Sequence, residues 1–226
     1  MIKRHLSLAG RHLLFWSLIS LAILISVVRV LLADVASYKQ QLEAKILQNA
    51  GLAIHIGKLA PHIRGFSPGV ILQDLSLETP DQQKPPLALR EVRIGVDLLK
   101  LILSRDILAA SRVSLVGLEA EVVRTADDTI RLVGLPSGDS NPDWLLQGNQ
   151  FELLQSRIGW SDQKLQKPRI QLNNVNFLLK NHFLSKKHEI HGLSDLPEQY
   201  GDKLRLSALI SGDPFQPESL DGDLYI

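Results

Sequence analysis

The chain has 226 residues, 25 of them basic and 24 acidic, a formal net charge of +1 and no cysteine. So even a balance leaves no basic nucleic-acid footprint, and the missing cysteine excludes disulfide frameworks and thiolate metal sites. The length allows one or two domains, with enough chain for a sizeable core.

Residues 1–12 carry Lys3, Arg4 and Arg11, and an apolar run follows. From Leu13 to Ala33 only serines and Arg29 interrupt it. At about 1.5 Å per residue this is ~30 Å of helix, the thickness of a bilayer core. A cleaved signal peptide would have an apolar region of about 7–15 residues and a small-residue cleavage site. Ala33-Asp34-Val35-Ala36 is a poor version of that site, so the run predicts an uncleaved transmembrane helix at 13–33. Arg29, near the far end, can reach the headgroups with its long stem. The positive residues before the span favour a cytoplasmic N-terminus at 1–12, with the bulk of the chain across the membrane.

Residues 34–51 keep a helical period. Val35, Tyr38, Leu42 and Ile46 recur at three- and four-residue steps, Lys39 and Glu43 are spaced to pair, and Gly51 is a stop. From Leu52 the period becomes two. Ile54 and Ile56 share a face opposite His55; Leu75 pairs with Leu77; Val92, Ile94 and Val96 alternate with Arg93 and Asp97. In "RVSLVGLEAEVVR", Val113 and Leu115 give way at Gly117 to Leu118, Ala120 and Val122, which predicts a bulge. Asn173-Asn174 shifts the phase in the same way, from Ile170 and Leu172 to Val175, Phe177 and Leu179. Leu204, Leu206, Ala208 and Ile210 alternate once more. "DLLKLILSRD" and "NPDWLLQG" read as short helices, Asp127-Asp128 as a hairpin turn, and the Pro/Gly/polar stretch 136–143 as a linker.

The pattern predicts an N-terminal transmembrane helix followed by mainly antiparallel β structure, an elongated curled sheet or groove with a few short helices. Residues 52–135 form a first β section and 144–226 a second. The strand signal at Gly222–Ile226 starts as the sequence stops, which reads as truncation of a longer chain.

No catalytic constellation stands out. His188 and His191 are three residues apart, a spacing that a strand splits across two faces. P-loop, dinucleotide-binding, nucleophile-elbow and zinc-protease signatures are missing. The expectation is a protein that is not an enzyme and uses no cofactor or metal. A sheet that is apolar on one face must cover it with helices, a second sheet or an apolar ligand.

The order of segments resembles the N-terminal region of AsmA-like proteins, the YhdP-like branch in particular. The resemblance runs through Leu42, Gly51, Ile54, Ile56, Gly57 and Leu59 in "LEAKILQNAGLAIHIGKL", then "GFSPGVILQDLSLETPD", then "LALREVRIGVDLLKLILSRDILAASRVSLVGLEAEVVRTADDTIRLVGLP". It continues through Trp160 and Asp162, "IQLNNVNFLLKN", His188, and Pro197, Gly201 and Gly212, to "GDLYI". Members are implied to be inner-membrane-anchored proteins of Gram-negative bacteria. Their long curled sheet carries a hydrophobic groove across the periplasm and is implicated in moving phospholipid toward the outer membrane.

The leading expectation is therefore the inner-membrane-anchored, periplasm-facing start of such a groove. Phospholipid would be its ligand, and the downstream part of the same polypeptide or an outer-membrane protein its partner. Groove candidates are Val92, Ile94, Val96, Leu118, Val122, Ile170, Leu172, Phe177, Leu204, Leu206 and Ile210. The same positions would also suit a closed core. The alternative is an envelope scaffold or assembly factor that binds protein partners without carrying lipid.

Overall fold

A computed structural model describes residues 15–16, 18–20, 26, 38–50, 53–65, 67–77, 88–133, 147–182, 185–213 and 216–225. The predicted span at 13–33 lies mostly outside these residues, as do the linker at 136–143 and most of the helix predicted in "NPDWLLQG". Among the described residues no helix is long and apolar enough to cross a membrane.

The described chain opens with helix α1 (Lys39–Ala50) and strands β1 (Ile54–Arg64), β2 (Ser67–Leu77) and β3 (Ala88–Val96). Two short helices, α2 (Leu98–Ser104) and α3 (Ile107–Ala110), lead into β4 (Ser111–Arg124) and β5 (Ile130–Leu132). Then come β6 (Gln150–Asp162), β7 (Lys167–His182), β8 (Lys187–Asp195), β9 (Lys203–Ser211) and β10 (Asp221–Tyr225). All ten strands join one open sheet in the order β1-β2-β3-β4-β6-β7-β8-β9-β10, with β5 hydrogen-bonded to β4 beside this path.

Every pairing is antiparallel except one. β4 and β6 run parallel, with Arg112 beside Gln150 and Arg124 beside Asp162. The expectation of antiparallel structure holds elsewhere and fails here for a topological reason. The chain leaves the Arg124 end of β4 and must return to its Ser111 end before β6 starts, a crossover that parallel strands require. The first leg of that return is the hairpin at Asp127-Asp128. Asp128 takes φ 71°, and Thr125 N–H donates to Thr129 O at 2.9 Å.

Capping explains the two short helices. The Asp97 side chain accepts from Lys100 N–H and so starts α2. Asp106 accepts from Leu108 and Ala109 N–H and starts α3. Arg105, in the left-handed region at φ 55°, closes α2. Carboxylates at these positions satisfy orphan helix donors.

The core sits at the β1 end. Ile56, Leu59, Leu72 and Val92 form its buried cluster, with Leu42 of α1 packed on it. Each such side chain contributes roughly 1.5–3 kcal/mol. Cα atoms of β1 and β3 approach within 8 Å although β2 lies between them, where flat geometry would set them about 9.5 Å apart. The sheet therefore bends at this end. α1 also guards the edge: Glu43 Oε1 accepts from Ile56 N–H at 2.7 Å, and Lys39 Nζ donates to Gly57 O at 3.4 Å. The residues spaced to pair with each other within the helix thus both reach the rim of β1, where unpaired strand groups invite aggregation.

Candidate functional site

Cross-strand register turns the apolar alternation of single strands into continuous rows. One row runs Leu59, Leu72, Val92, Leu115, Leu153, Phe177, Gly192 and Leu206, each residue opposite the next on the neighbouring strand. Two residues along each strand, on the same face, lies a second row. It runs Pro61, Val70, Ile94, Val113, Phe151, Leu179, Ile190, Ala208 and Leu224. Every side chain in it is apolar. With eight strand gaps of about 4.8 Å, this band is roughly 38 Å long.

Among the described residues the band is only partly covered. Leu72 is 3% exposed, but Ile94 is 41% and Leu224 61% exposed. Val113, Leu115, Phe151, Leu153, Phe177, Ile190 and Leu206 are only partly buried. Among the described residues the helix packed on the sheet is α1, against β1, and no second sheet lies opposite.

A transverse crease borders the first row. Asp74 on β2, Gly117 on β4, Gln155 on β6 and Asn174 on β7 all take left-handed torsions, with φ of 54°, 67°, 48° and 48°. Interpolating the register sets Asp74 across from Gly57 and Arg90, Arg90 across from Gly117, and Gly117 beside Gln155. Each left-handed residue shifts the phase of its strand by one, so neighbouring strands shift together and pairing continues. The apolar face then carries on beyond the crease. Leu75, Leu89, Leu118 and Ser156 lie there in one line, with Ile158 beside Leu172 and Trp160 beside Ile170 further on.

The sequence-predicted positions fall on this face. Val92, Phe177 and Leu206 belong to the first row, and Ile94 to the second. Val96 and Ile210 lie in a third, and Leu118, Val122, Ile170, Leu172 and Leu204 lie toward or beyond the crease. Sequence reading did not pick out Leu59, Leu72, Val113, Phe151, Leu153, Leu179 or Ile190 as sites, although they complete the rows. Their signal is the register, which no single strand contains.

The third row turns polar in its middle. Val96 is followed by Ser111, Asn149, Asn181 and His188 before Ile210 restores apolar character. His188 ring nitrogens lie 2.6 Å from Asn181 Oδ1 and 3.2 Å from Gly212 O. Asn181 Nδ2 donates to Gly148 O, and Lys100 Nζ donates to Asn149 Oδ1. Burial pulls the Lys100 amine below the ordinary lysine range, with the nearby Asp97 carboxylate opposing the shift. His191, three residues after His188, is on the other face, as the strand requires.

That other face is laced with ion pairs. Hydrogen bonds from Arg169 hold the Glu121 carboxyl below its usual range, with Nη2 2.7 Å from Oε2. Hydrogen bonds from His191 and His182 likewise depress Glu189, and at the β4–β5 hairpin, past the end of the apolar face, those from Lys164 and Arg124 depress Asp128. Among the described residues no cluster of three or more His, Asp or Glu could hold a metal ion.

The family model described as YhdP protein matches residues 5–226. The chain belongs to the YhdP family. That match spans every described element, from α1 through β10, and agrees with the resemblance drawn from the order of the segments. Comparison with curated proteins and with solved structures gives no match.

Proposed function

We propose that this YhdP-family chain is the inner-membrane-anchored, periplasm-facing start of a hydrophobic groove that carries phospholipid toward the outer membrane. The observation that supports the reading is the pair of apolar rows that cross the sheet side by side and stay partly exposed. Acyl chains would lie along the rows, and headgroups would stay at the wet margin. Removing hydrocarbon from water is worth about 0.8 kcal/mol per CH2, so an unbroken apolar band lowers the barrier to moving a lipid through an aqueous space. The mechanism is passive. It uses no acid, base, nucleophile or cofactor, and membrane attachment is assigned to residues 13–33.

The experiment is native mass spectrometry of the full chain released from membranes. Bound phospholipid supports transport; a lipid-free chain that retains a protein partner overturns it in favour of a scaffold. One observation favours that second reading. Among the described residues β10 pairs with β9 alone and its five residues are exposed, an edge of the kind to which a partner's strand can add.

A further inference from the structure

The face opposite the apolar rows carries a depression of its own, about 490 Å³ in volume, spanning β6 to β9. Ligand sites commonly occupy about 300–1,000 Å³. Its lining is two adjacent rows of this face, with Phe177, Gly192 and Leu206 of the strand positions between them also reached. Leu154, Asn176, Leu193 and Arg205 share one, and Glu152, Leu178, His191 and Ser207 the other. Three leucines give it an apolar floor, with Val116 beside Leu154 on the same face.

The polar groups around this floor are already engaged, with one exception. Glu152 Oε1 accepts from Gln150 Nε2 at 2.6 Å, and its Oε2 accepts from Ser114 Oγ at 2.6 Å. Asn176 Oδ1 accepts from Gln155 N–H at 3.1 Å, and its Nδ2 donates to Asn174 O at 2.7 Å. His191 Nε2 lies 2.8 Å from Glu189 Oε1, and its Nδ1 is 3.1 Å from Ser207 Oγ. The Arg205 side chain, exposed on β9, has no hydrogen bond or ion pair among the described residues. Glu152 stands three strands away, about 14 Å, beyond a screening length of about 8 Å at physiological salt. Asp195, diagonal to Arg205 on β8, stands directly across from Lys203 and makes no ion pair with Arg205, and Glu189, further along β8, is bracketed by His182 and His191.

We propose that this depression is a second binding site, distinct from the apolar rows, for a single-chain anionic amphiphile. The alkyl body lies on Leu154, Leu178 and Leu193. The head is a carboxylate or a phosphate, either of which matches the planar fork of a guanidinium, and Arg205 anchors it. The site does not depend on lipid occupancy of the opposite face.

The test uses the full chain and a diazirine analogue of decanoate, with the labelled residues mapped by peptide mass spectrometry. Label is expected on polar-face residues of β7 and β8 around Leu178 and Leu193. Excess decanoate or decyl phosphate should remove it, the better competitor identifying the head as carboxylate or phosphate, and decanol should not. Arg205→Gln should cut labelling about tenfold, and Arg205→Lys should restore part of it. Arg205 is exposed and unpartnered, so both variants should keep the wild-type circular dichroism melt. Labelling that is unchanged in Arg205→Gln, removed equally by decanol, or confined to Phe151, Leu179 and Ile190 on the opposite face overturns the proposal.

Discussion

The backbone N–H of Leu118 donates to Ser156 Oγ at 3.2 Å, across the parallel β4–β6 pair and beside the crease. Ser156 also donates to Leu154 O at 3.0 Å and is 1% exposed. A hydroxyl buried there joins the two β sections at the place where their backbones leave regular geometry. Ser156→Ala removes an acceptor that the Leu118 amide uses. Denaturant unfolding should show a loss of about 1–3 kcal/mol, whereas Ser→Ala at exposed Ser219 lies outside the sheet and should cost less.

Gly117 and Gln155 take the same left-handed torsion but should respond to substitution in opposite ways. A Cβ on Gly117 would stand 3.0 Å from the Arg90 side chain, at φ +67°. Gly117→Ala should therefore destabilise by about 1–2 kcal/mol. Gln155 already bears that torsional cost at φ 48°, so Gln155→Gly should gain about 0.5 kcal/mol after the entropy of the added glycine. Urea midpoints of the two variants measure both effects.

Half of the crease was legible in the sequence. The phase of alternation breaks openly at Gly117 and at Asn173-Asn174, because the flanking residues are strongly apolar on both sides. At Gln155 the run Phe151-Glu152-Leu153-Leu154 blurs the alternation, and at Asp74 the break is hidden between Leu72 and Leu75. The alignment of these breaks is a property of register, which is set by pairing between strands distant in sequence. The parallel β4–β6 pair was hidden for the same reason: alternation looks alike in either direction. The apolar face itself was legible. The Leu-rich cavity around Arg205 was not, since Leu154, Leu178 and Leu193 come from three strands and look like noise in each.

Two apolar residues of the band separate packing from surface. Leu72 is 3% exposed inside the β1–β3 cluster, and Leu72→Ala should cost about 2–5 kcal/mol. Ile94, paired with Val70 and Val113 in the second row, is 41% exposed. Ile94→Glu should shift thermal unfolding only slightly while abolishing retention of phospholipid. Unfolding by Ile94→Glu on the scale of Leu72→Ala would mean that the rows form a closed core.

Acid should loosen the ion pairs of the polar face and of the β4–β5 hairpin. Glu121, Asp128 and Glu189 have folded-state pKa values below their usual range, through hydrogen bonds from Arg169, from Lys164 and Arg124, and from His191 and His182. A depressed carboxylate stabilises the fold fully above its unfolded pKa, about 4, and that contribution disappears as pH falls through the lower folded value. The urea midpoint should hold between pH 7 and 5 and drop below about pH 4. Glu121→Gln should flatten part of the drop.

Arg93 and Ile94 are adjacent in β3 and point to opposite faces, Arg93 across from Ser114 and Ile94 across from Val113. The proposed groove requires lipid on the Ile94 side. A photoreactive benzoylphenylalanine at position 94 or 93 of the full chain, activated in cells and analysed for covalent adducts, tests it directly. Phospholipid adducts at position 94 that are absent at 93 are the predicted result; equal lipid labelling at both, or protein adducts alone at 94, would contradict it.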